Sequence, residues 1–399
     1  MTSRRGFLMG ATAAGLLSAV ALPGIAVAAA NTKKRFVLVI LRGGMDGLAA
    51  FPPIGDPDYQ SLRSGLAQAA DDTIALDGNF SMHKSLAPLM KHYKKRHMAV
   101  VHAVAVPQRT RSHFDAQNVL ENGASKAHLL QDGWLNRALR VIDYREQRLG
   151  LSVGYSTPPV MRGTTPTTSW APARIPPSPP DLLDTLGSLY QPDPILGRAL
   201  NEGRRAQEMT GAVLGDTKMK RGNMRSPGRF KSLAESAGRL LAAEQGARIA
   251  VIEMGGWDTH ANQGATTGRL ARNLGLLANG LNELSLQLGP VWRDTVVCVV
   301  TEFGRTVRMN GSKGTDHGTA GAAILLGGAI AGGRVATRWP GLAPNALYGG
   351  RDLAPTTDMR GLFKTVLHNH LNIPSAALDQ KVFPDSKKAE APLGQLIRI

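Results

Sequence analysis

The run RFVLVILRGGMDG, Arg35 to Gly47, decides the fold. Its first part, Arg35 to Leu41, is β-branched and aliphatic with no polar alternation, the pattern of a strand buried on both faces of a parallel sheet. The glycines around Asp46 then let the backbone turn closely just past the strand end. The same signature returns in HMAVVHAVAV (His97–Val106), ARIAVIEMGG (Ala247–Gly256), DTVVCVV (Asp294–Val300) and the shorter LGLSVGY (Leu149–Tyr155). Between these runs lie helical patterns: LAPLMKHYKKR, SLAESAGRLLAAE (Ser232–Glu244), a long one over Thr267–Leu288, and MRGLFKTVLHNHL near the end. Alternating strands and helices predict an α/β fold, a mostly parallel central sheet with helices on both faces. Ligands of such sheets bind where loops leave the carboxyl ends of the strands.

Three strand ends carry acidic or imidazole groups. The first has Asp46; GGWDTHANQ brings Asp258 and His260; TEFGRT brings Glu302, and GTDHG then adds Asp316 and His317 before AAILLGGAI returns to the core as a further strand. Carboxylates with imidazoles suit a divalent metal, zinc or manganese before iron. A D-x-H in a loop lets both side chains turn to one ion, and three strand ends with the same chemistry point to one shared polar site.

Composition bounds the rest. In 399 residues, 43% hydrophobic and 19% charged, the chain is ordinary for a globular protein, but its formal charge of +17 is not. That balance favours anionic partners, from phosphate or sulfate esters to polyanions. An aromatic content of 5%, not interleaved with the basic residues, argues against nucleic-acid stacking, so no specific nucleic acid is expected. TSRRGFLMG at the N-terminus, with Arg4 and Arg5 ahead of a mildly apolar run, resembles a twin-arginine export signal. We expect residues 1–30 to be that signal, cleaved after Ala28 or Ala30. The partner would then be the twin-arginine export machinery, and the signal would make the only membrane contact. Those two arginines hold only a small part of the charge, so the basicity belongs to the folded protein. Residues 31–399 read as one domain. The Pro-rich run Ser156–Asp181 and the basic run Arg204–Lys231 are expected to form an insertion or lid over about 156–231. Cys298, alone within VVCVV, is a core residue. CxxC and HExxH are absent from the sequence.

The order Asp46, Asp258/His260, Glu302, His317 resembles the metal-ligand order of the alkaline phosphatase, sulfatase and phosphoglycerate mutase superfamily. More closely, GGMDGL, RSHFDAQ, DGWLNRAL, GWDTH, TEFGRT and GTDHG resemble the bacterial domain-of-unknown-function family 1501, many of whose members are exported. The resemblance implies an alkaline-phosphatase-like fold, with one metal on Asp258, His260 and His317 and a second on Asp46 and Glu302. The chain departs from the superfamily at Glu302-Phe303, where an Asp-His pair is usual, which leaves one or two ions open. In the region where the superfamily keeps its nucleophile this chain has PQRTRSHFDAQ (Pro107–Gln117). Ser112 is the first candidate and Thr110 the second; Ser112 as a helix N-cap explains the residue equally well. Arg109, Arg111 and Arg305 are candidates for binding a tetrahedral anion. His113 either faces the pocket or finishes the cap.

The expected function is an exported metal-dependent hydrolase of phosphate or sulfate esters. The alternative is a non-catalytic periplasmic binding or assembly protein with a degenerate or structural metal site. A third reading, a polyanion-binding envelope protein, rests on the Arg204–Lys231 segment alone.

Overall fold

The computed structural model describes residues 33–142, 149–154, 156–172, 180–193, short pieces within 196–214, 225–244, 246–389 and 391–398. The expected signal segment and most of the basic run lie outside the described residues. In chain order the strands are β1 (Arg35–Leu41), β2 (Thr73–Ala75), β3 (Ser81–His83), β4 (Met98–Ala105), β5 (Gly150–Val153), β6 (Thr168–Trp170), β7 (Ile249–Met254), β8 (Thr295–Thr301), β9 (Gly321–Leu326), β10 (Arg334–Ala336) and β11 (Thr357–Asp358). One sheet takes the order β10-β4-β9-β8-β1-β7-β5-β6, with β11 beside β4; β2 and β3 form a separate antiparallel pair.

β1 is central and parallel to both neighbours, Val37 aligned with Ala250 of β7 and with Val297 of β8. Its residues are all buried, and the period of two along a strand divides them between two cores. Val37, Val39 and Leu41 pack with Leu233 and Leu240 of the helix Phe230–Ala242 and with Leu274 and Leu281 of Arg269–Leu288. Phe36, Leu38 and Ile40 pack with Trp134, Leu362 and Phe363 from the helices Trp134–Val141 and Met359–Leu371. The sheet is therefore covered on both faces, and an α/β fold with a mostly parallel sheet is what the molecule has. Truncating a side chain such as Ile40 to alanine opens a cavity worth about 2–5 kcal/mol.

Two features differ from the sequence reading. AAILLGGAI forms β9, but it runs antiparallel between β8 and β4. A short apolar run does not carry its own direction; the return loop through His317 sets it. Within the Pro- and Thr-rich run, Thr168–Trp170 extends the sheet as β6, parallel to β5.

β4 pairs antiparallel to β9, which pairs antiparallel to β8, so β4, β8, β1 and β7 all point the same way. The candidate groups that follow these four strands therefore gather at one end of the sheet.

Candidate metal centre

The loops after β1, β4, β7 and β8 each reach the same place. After β1, Gly43 and Gly44 take φ of 122° and 71°. A Cβ on Gly43 would stand 2.6 Å from the Asp258 amide nitrogen, so glycine lets the β1 loop run directly against the Asp258 loop. After β4, Ser112 caps the helix His113–Asn122: its Oγ accepts from the Asp115 amide at 3.4 Å, and Gly123 ends the helix in the left-handed region. That cap fixes His113 as the first helical residue. After β8, the chain doubles back on itself, Arg305 bridging His317 and the Thr306 amide donating to the Asp316 carbonyl at 3.0 Å. Gly314 permits this, since a Cβ there would meet the His260 backbone at 2.4 Å.

His113, Asp258 and His317 each offer a ligand atom within 4.8 Å of the others. His260 belongs with them by its own distances: its Nε2 lies 3.1 Å from Asp258 Oδ1 and 2.9 Å from His317 Nε2. His317 Nε2 is 3.2 Å from the same Asp258 oxygen, and His113 Nε2 is 3.5 Å from Asp258 Oδ2.

The outer nitrogen of each ring fixes its tautomer. His113 Nδ1 lies 2.8 Å from Glu302 Oε1, His260 Nδ1 3.1 Å from Asp316 Oδ1, and His317 Nδ1 2.7 Å from the Arg111 carbonyl. Carboxylate and carbonyl oxygens only accept, so each Nδ1 donates, and each Nε2 offers a lone pair whenever its ring is neutral. Three imidazole lone pairs thus converge on a carboxylate. His113 Nε2 is buried with no hydrogen-bond partner. Neutral rings in such a cluster turn their lone pairs toward one another, which a proton or a bound cation relieves. Histidine ligands of metals carry this same arrangement, the second ring nitrogen donating to a carboxylate or a backbone carbonyl. A tetrahedral zinc with ligands at about 2.0–2.2 Å separates its donors by roughly 3.3–3.5 Å, close to the spacings found. His113, Asp258 and His317 are a donor set that can hold a metal ion.

The surroundings bias the charges. The Glu302 hydrogen bond raises the His113 pKa against the opposing effect of burial. Burial pushes Glu302 up, but donation from His113, Gln117 and the Gly43 amide outweighs it and holds the carboxyl below its usual range. Asp258 is likewise pushed up by burial and held low by Arg305. Hydrogen bonding from Asn310 lowers Asp316, and burial lowers His317.

Not every residue expected at the site is brought to it. Asp46 is fully buried, its Oδ2 accepting from Arg63 Nη2 at 2.6 Å and from Gln263 Nε2 at 2.7 Å, and its Oδ1 capping the short helix Gly47–Ala50. The carboxylate that the resemblance gave to a second metal thus lies with Arg63 and Gln263, and not in the His113, Asp258 and His317 cluster. Glu302 is also fully buried. Its Oε1 accepts from the Gly43 amide, His113 and Gln117, and its Oε2 from Thr301 Oγ1. It orients His113 and takes no place among the converging atoms. Asp316 does the same for His260. Phe303, where the superfamily places a histidine, is buried as a wall 4.8 Å from the rings of His113 and His317.

Arg305 is also buried. It donates to the carbonyls of Gly43, Gly44, Trp257 and Thr315 and, at 2.6 Å, to Asp258 Oδ1; it does not pair with Glu302. With these donors committed it locks the loops together and has little left for a substrate. Arg109 donates to the Val106 carbonyl at its own turn. Arg111 is half exposed and bidentate to Asp352 Oδ2, through Nε at 3.1 Å and Nη2 at 2.8 Å. Thr110 Oγ1 accepts from the Ser112 amide at 3.2 Å.

Sequence reasoning missed Gln117, Asn310, Gln263, Arg63 and Asp352, and left His113 between two roles. One signal was available: His113 and Gln117 are one helical turn apart, so both can reach the same partner, Glu302. Arg63 and Asp352 are brought in from distant loops and left no local trace.

Fold and cluster together define an α/β protein with a three-histidine, one-carboxylate centre at the carboxyl end of its sheet. The profile of the family described as "Protein of unknown function (DUF1501)" matches residues 33–382, and the chain belongs to that family. No curated protein matches it. Among solved structures it is similar to the C-terminal periplasmic domain of EcEptC from Escherichia coli in complex with Zn, at 8% identity over 74% of this chain and 73% of that one, TM-score 0.35. It is also similar to Ps i-CgsB in complex with k-i-k-neocarrahexaose, at 11% identity over 90% and 75%, TM-score 0.43. A third is the phosphonate monoester hydrolase of Agrobacterium radiobacter, at 11% identity over 76% and 71%, TM-score 0.36. Likenesses this distant transfer no activity to the chain.

Proposed function

We propose that this chain is an exported metal-dependent hydrolase of phosphate or sulfate esters, with one divalent ion held by His113, Asp258, His260 and His317. The observation that carries the reading is the convergence of three imidazole lone pairs on the Asp258 carboxylate, each ring held from outside by an acceptor. Such an ion supplies Lewis acidity, lowering the pKa of a hydroxyl and neutralising charge that develops on a transferred group. The chain's own residues do the rest. Glu302 and Asp316 hold the proton on the outer nitrogen of His113 and His260, and so keep the inner nitrogens as donors. Phe303 excludes water from behind two of the rings. Arg111 presents a guanidinium beside the site, and Ser112, next to His113, is the nucleophile in this reading. The substrate class follows from the superfamily resemblance of the strand-end motifs and from the basic balance of the chain. Export follows from the N-terminal motif. Among the described residues no helix is long and apolar enough to cross a membrane.

A second reading, a binding or assembly protein with a structural ion, draws on two observations. Four protein donors can close a tetrahedral site, as structural zinc sites do, and the Ser112 hydroxyl caps a helix. Accessibility favours the hydrolase: the side chains of Asp258 and His260 are 43% and 44% exposed. Hydrolysis of aryl phosphate and aryl sulfate esters, measured with zinc-loaded and chelator-stripped protein, tests the choice. Turnover restored by zinc and lost in Asp258→Ala supports the enzyme. Stoichiometric zinc without turnover of either ester class supports the structural ion.

A further inference from the structure

Asp352 is fully buried, and what it holds is unusual for a buried acid. Its Oδ2 accepts from Arg111 Nε and Nη2 and from Thr319 Oγ1 at 2.9 Å. Its Oδ1 has Arg351 Nη1 at 3.2 Å but no hydrogen bond of good geometry. One carboxylate thus hydrogen-bonds one guanidinium and is ion-paired with a second, and the trio keeps one positive charge beyond balance. The two arginines are not buried with it: their side chains are 45% and 40% exposed. Among the described residues, Arg111 Nη1 and the Nε and Nη2 of Arg351 have no acceptor in the protein.

The trio sits at the rim of the histidine cluster. The Arg111 carbonyl accepts from His317 Nδ1, and Arg111 immediately precedes Ser112 and His113. Thr306 bridges Asp352 while its amide donates to the Asp316 carbonyl, so the Asp352 turn and the His317 loop share one edge. A third guanidinium, that of Arg308, reaches the same turn at the Gly350 carbonyl, 3.4 Å away. The edge of a guanidinium with unused N–H groups matches the oxygen spacing of a tetrahedral anion, and holding it in advance reduces the side-chain ordering that binding would otherwise require.

We propose that Arg111 and Arg351, held side by side on the buried Asp352 carboxylate, form an oxyanion clamp for the phosphoryl or sulfuryl group of the substrate, with Asp352 as the positioning residue. Its role in turnover rests on the proposed hydrolase; its capacity to bind an anion does not. The test is calorimetric titration of the full chain with inorganic phosphate and, separately, sulfate, in zinc-loaded and chelator-stripped protein. Stripped wild type should bind, and Arg111→Ala and Arg351→Ala should each weaken binding about tenfold or more, as expected for a lost charge-assisted bond. Arg351→Lys keeps the charge and loses the fork, so it should fall between wild type and alanine. Asp352→Asn makes the trio more positive, so attraction between point charges alone would tighten binding, whereas loss of positioning weakens it. Wild-type affinity in both alanine variants, or tighter binding by Asp352→Asn, overturns the clamp. Arg351 is half exposed, so its variants decide the matter even if Asp352→Asn does not fold. Arginine-dependent phosphate binding in a chain that takes no zinc would keep the clamp and discard the hydrolase. Stoichiometric zinc with arginine-independent phosphate binding would do the reverse. The ratio of phosphate to sulfate affinity names the group the clamp prefers.

Discussion

Glu302→Gln isolates the outer carboxylate of the centre with little steric change. Three donors, from Gly43, His113 and Gln117, meet at Oε1, so the new amide oxygen must take that place. Its NH2 then faces Thr301 Oγ1, which can accept it by giving its own proton to the Leu41 carbonyl at 2.8 Å. Every polar group keeps a partner. Three charge-assisted bonds become neutral ones, but a fully buried charge is also removed; the two effects oppose, and stability should stay within about 2 kcal/mol of wild type. His113, however, loses the carboxylate that fixes its tautomer and strengthens it as a donor. Changes to such outer partners cost about 10–100-fold in metal affinity, or about 1.4–2.8 kcal/mol. Competition for zinc against a chromophoric chelator, with unfolding followed on the same samples, reads both quantities. A folded Glu302→Gln protein that binds zinc as tightly as wild type would refute the assignment of Glu302 as the orienting group of His113.

Further outcomes follow from the same geometry. Arg63→Met removes the cation paired with the buried Asp46 carboxylate and should cost about 3–5 kcal/mol by chemical denaturation, with the metal content of the folded fraction unchanged; a loss of metal would return Asp46 to the centre. Ser112→Ala should cost about 0.5–2 kcal/mol through the lost helix cap. It should also abolish ester turnover with metal retained, and full turnover would move the nucleophile elsewhere. His92, His102 and His370 are buried, and burial pushes each down to about 4. Between pH 4 and 6.5 the unfolded chain therefore binds protons that the folded chain does not. The stability these three contribute is full above about 6.5 and falls as pH drops toward 4, by about 1.4 kcal/mol per pH unit for each group. In metal-free protein, His370→Gln, which can still donate to the Arg35 carbonyl, should remove one such share of the slope. An unchanged slope would show that His370 is not buried in neutral form.

The sheet was legible because fully buried parallel strands leave unbroken apolar runs. Arg35–Leu41 was read with its observed limits, and the helix expected from Ser232 begins at Phe230. The direction of β9 was not legible, since nothing in an apolar run separates parallel from antiparallel pairing. That Asp258, His260 and His317 come together was legible because D-x-H and D-H sit on glycine-rich loops past strand ends. Asp46 had the same local appearance. What removes it from the centre is Arg63, and that pairing depends on how two loops meet, not on either loop alone. The departure at Phe303 was visible in the sequence, and the structure gives it a use as the wall behind two imidazoles. His92, within LAPLMKHYKKR, is buried beside Trp292, the ring centroids 5.4 Å apart. Its neighbours Lys91, Lys94 and Lys95 hid that from a reading of charge alone.

Bound metal is the quantity that tests the account most directly. Protein purified without added metal, analysed by elemental mass spectrometry, should carry close to one divalent ion per chain, with zinc the first expectation. His113→Ala, Asp258→Ala and His317→Ala should each lose it, while Asp46→Asn, if folded, should keep it. Two ions per chain, with one lost in Asp46→Asn, would contradict the single centre. A folded, stable wild-type chain that holds no metal and takes none up would contradict the centre altogether.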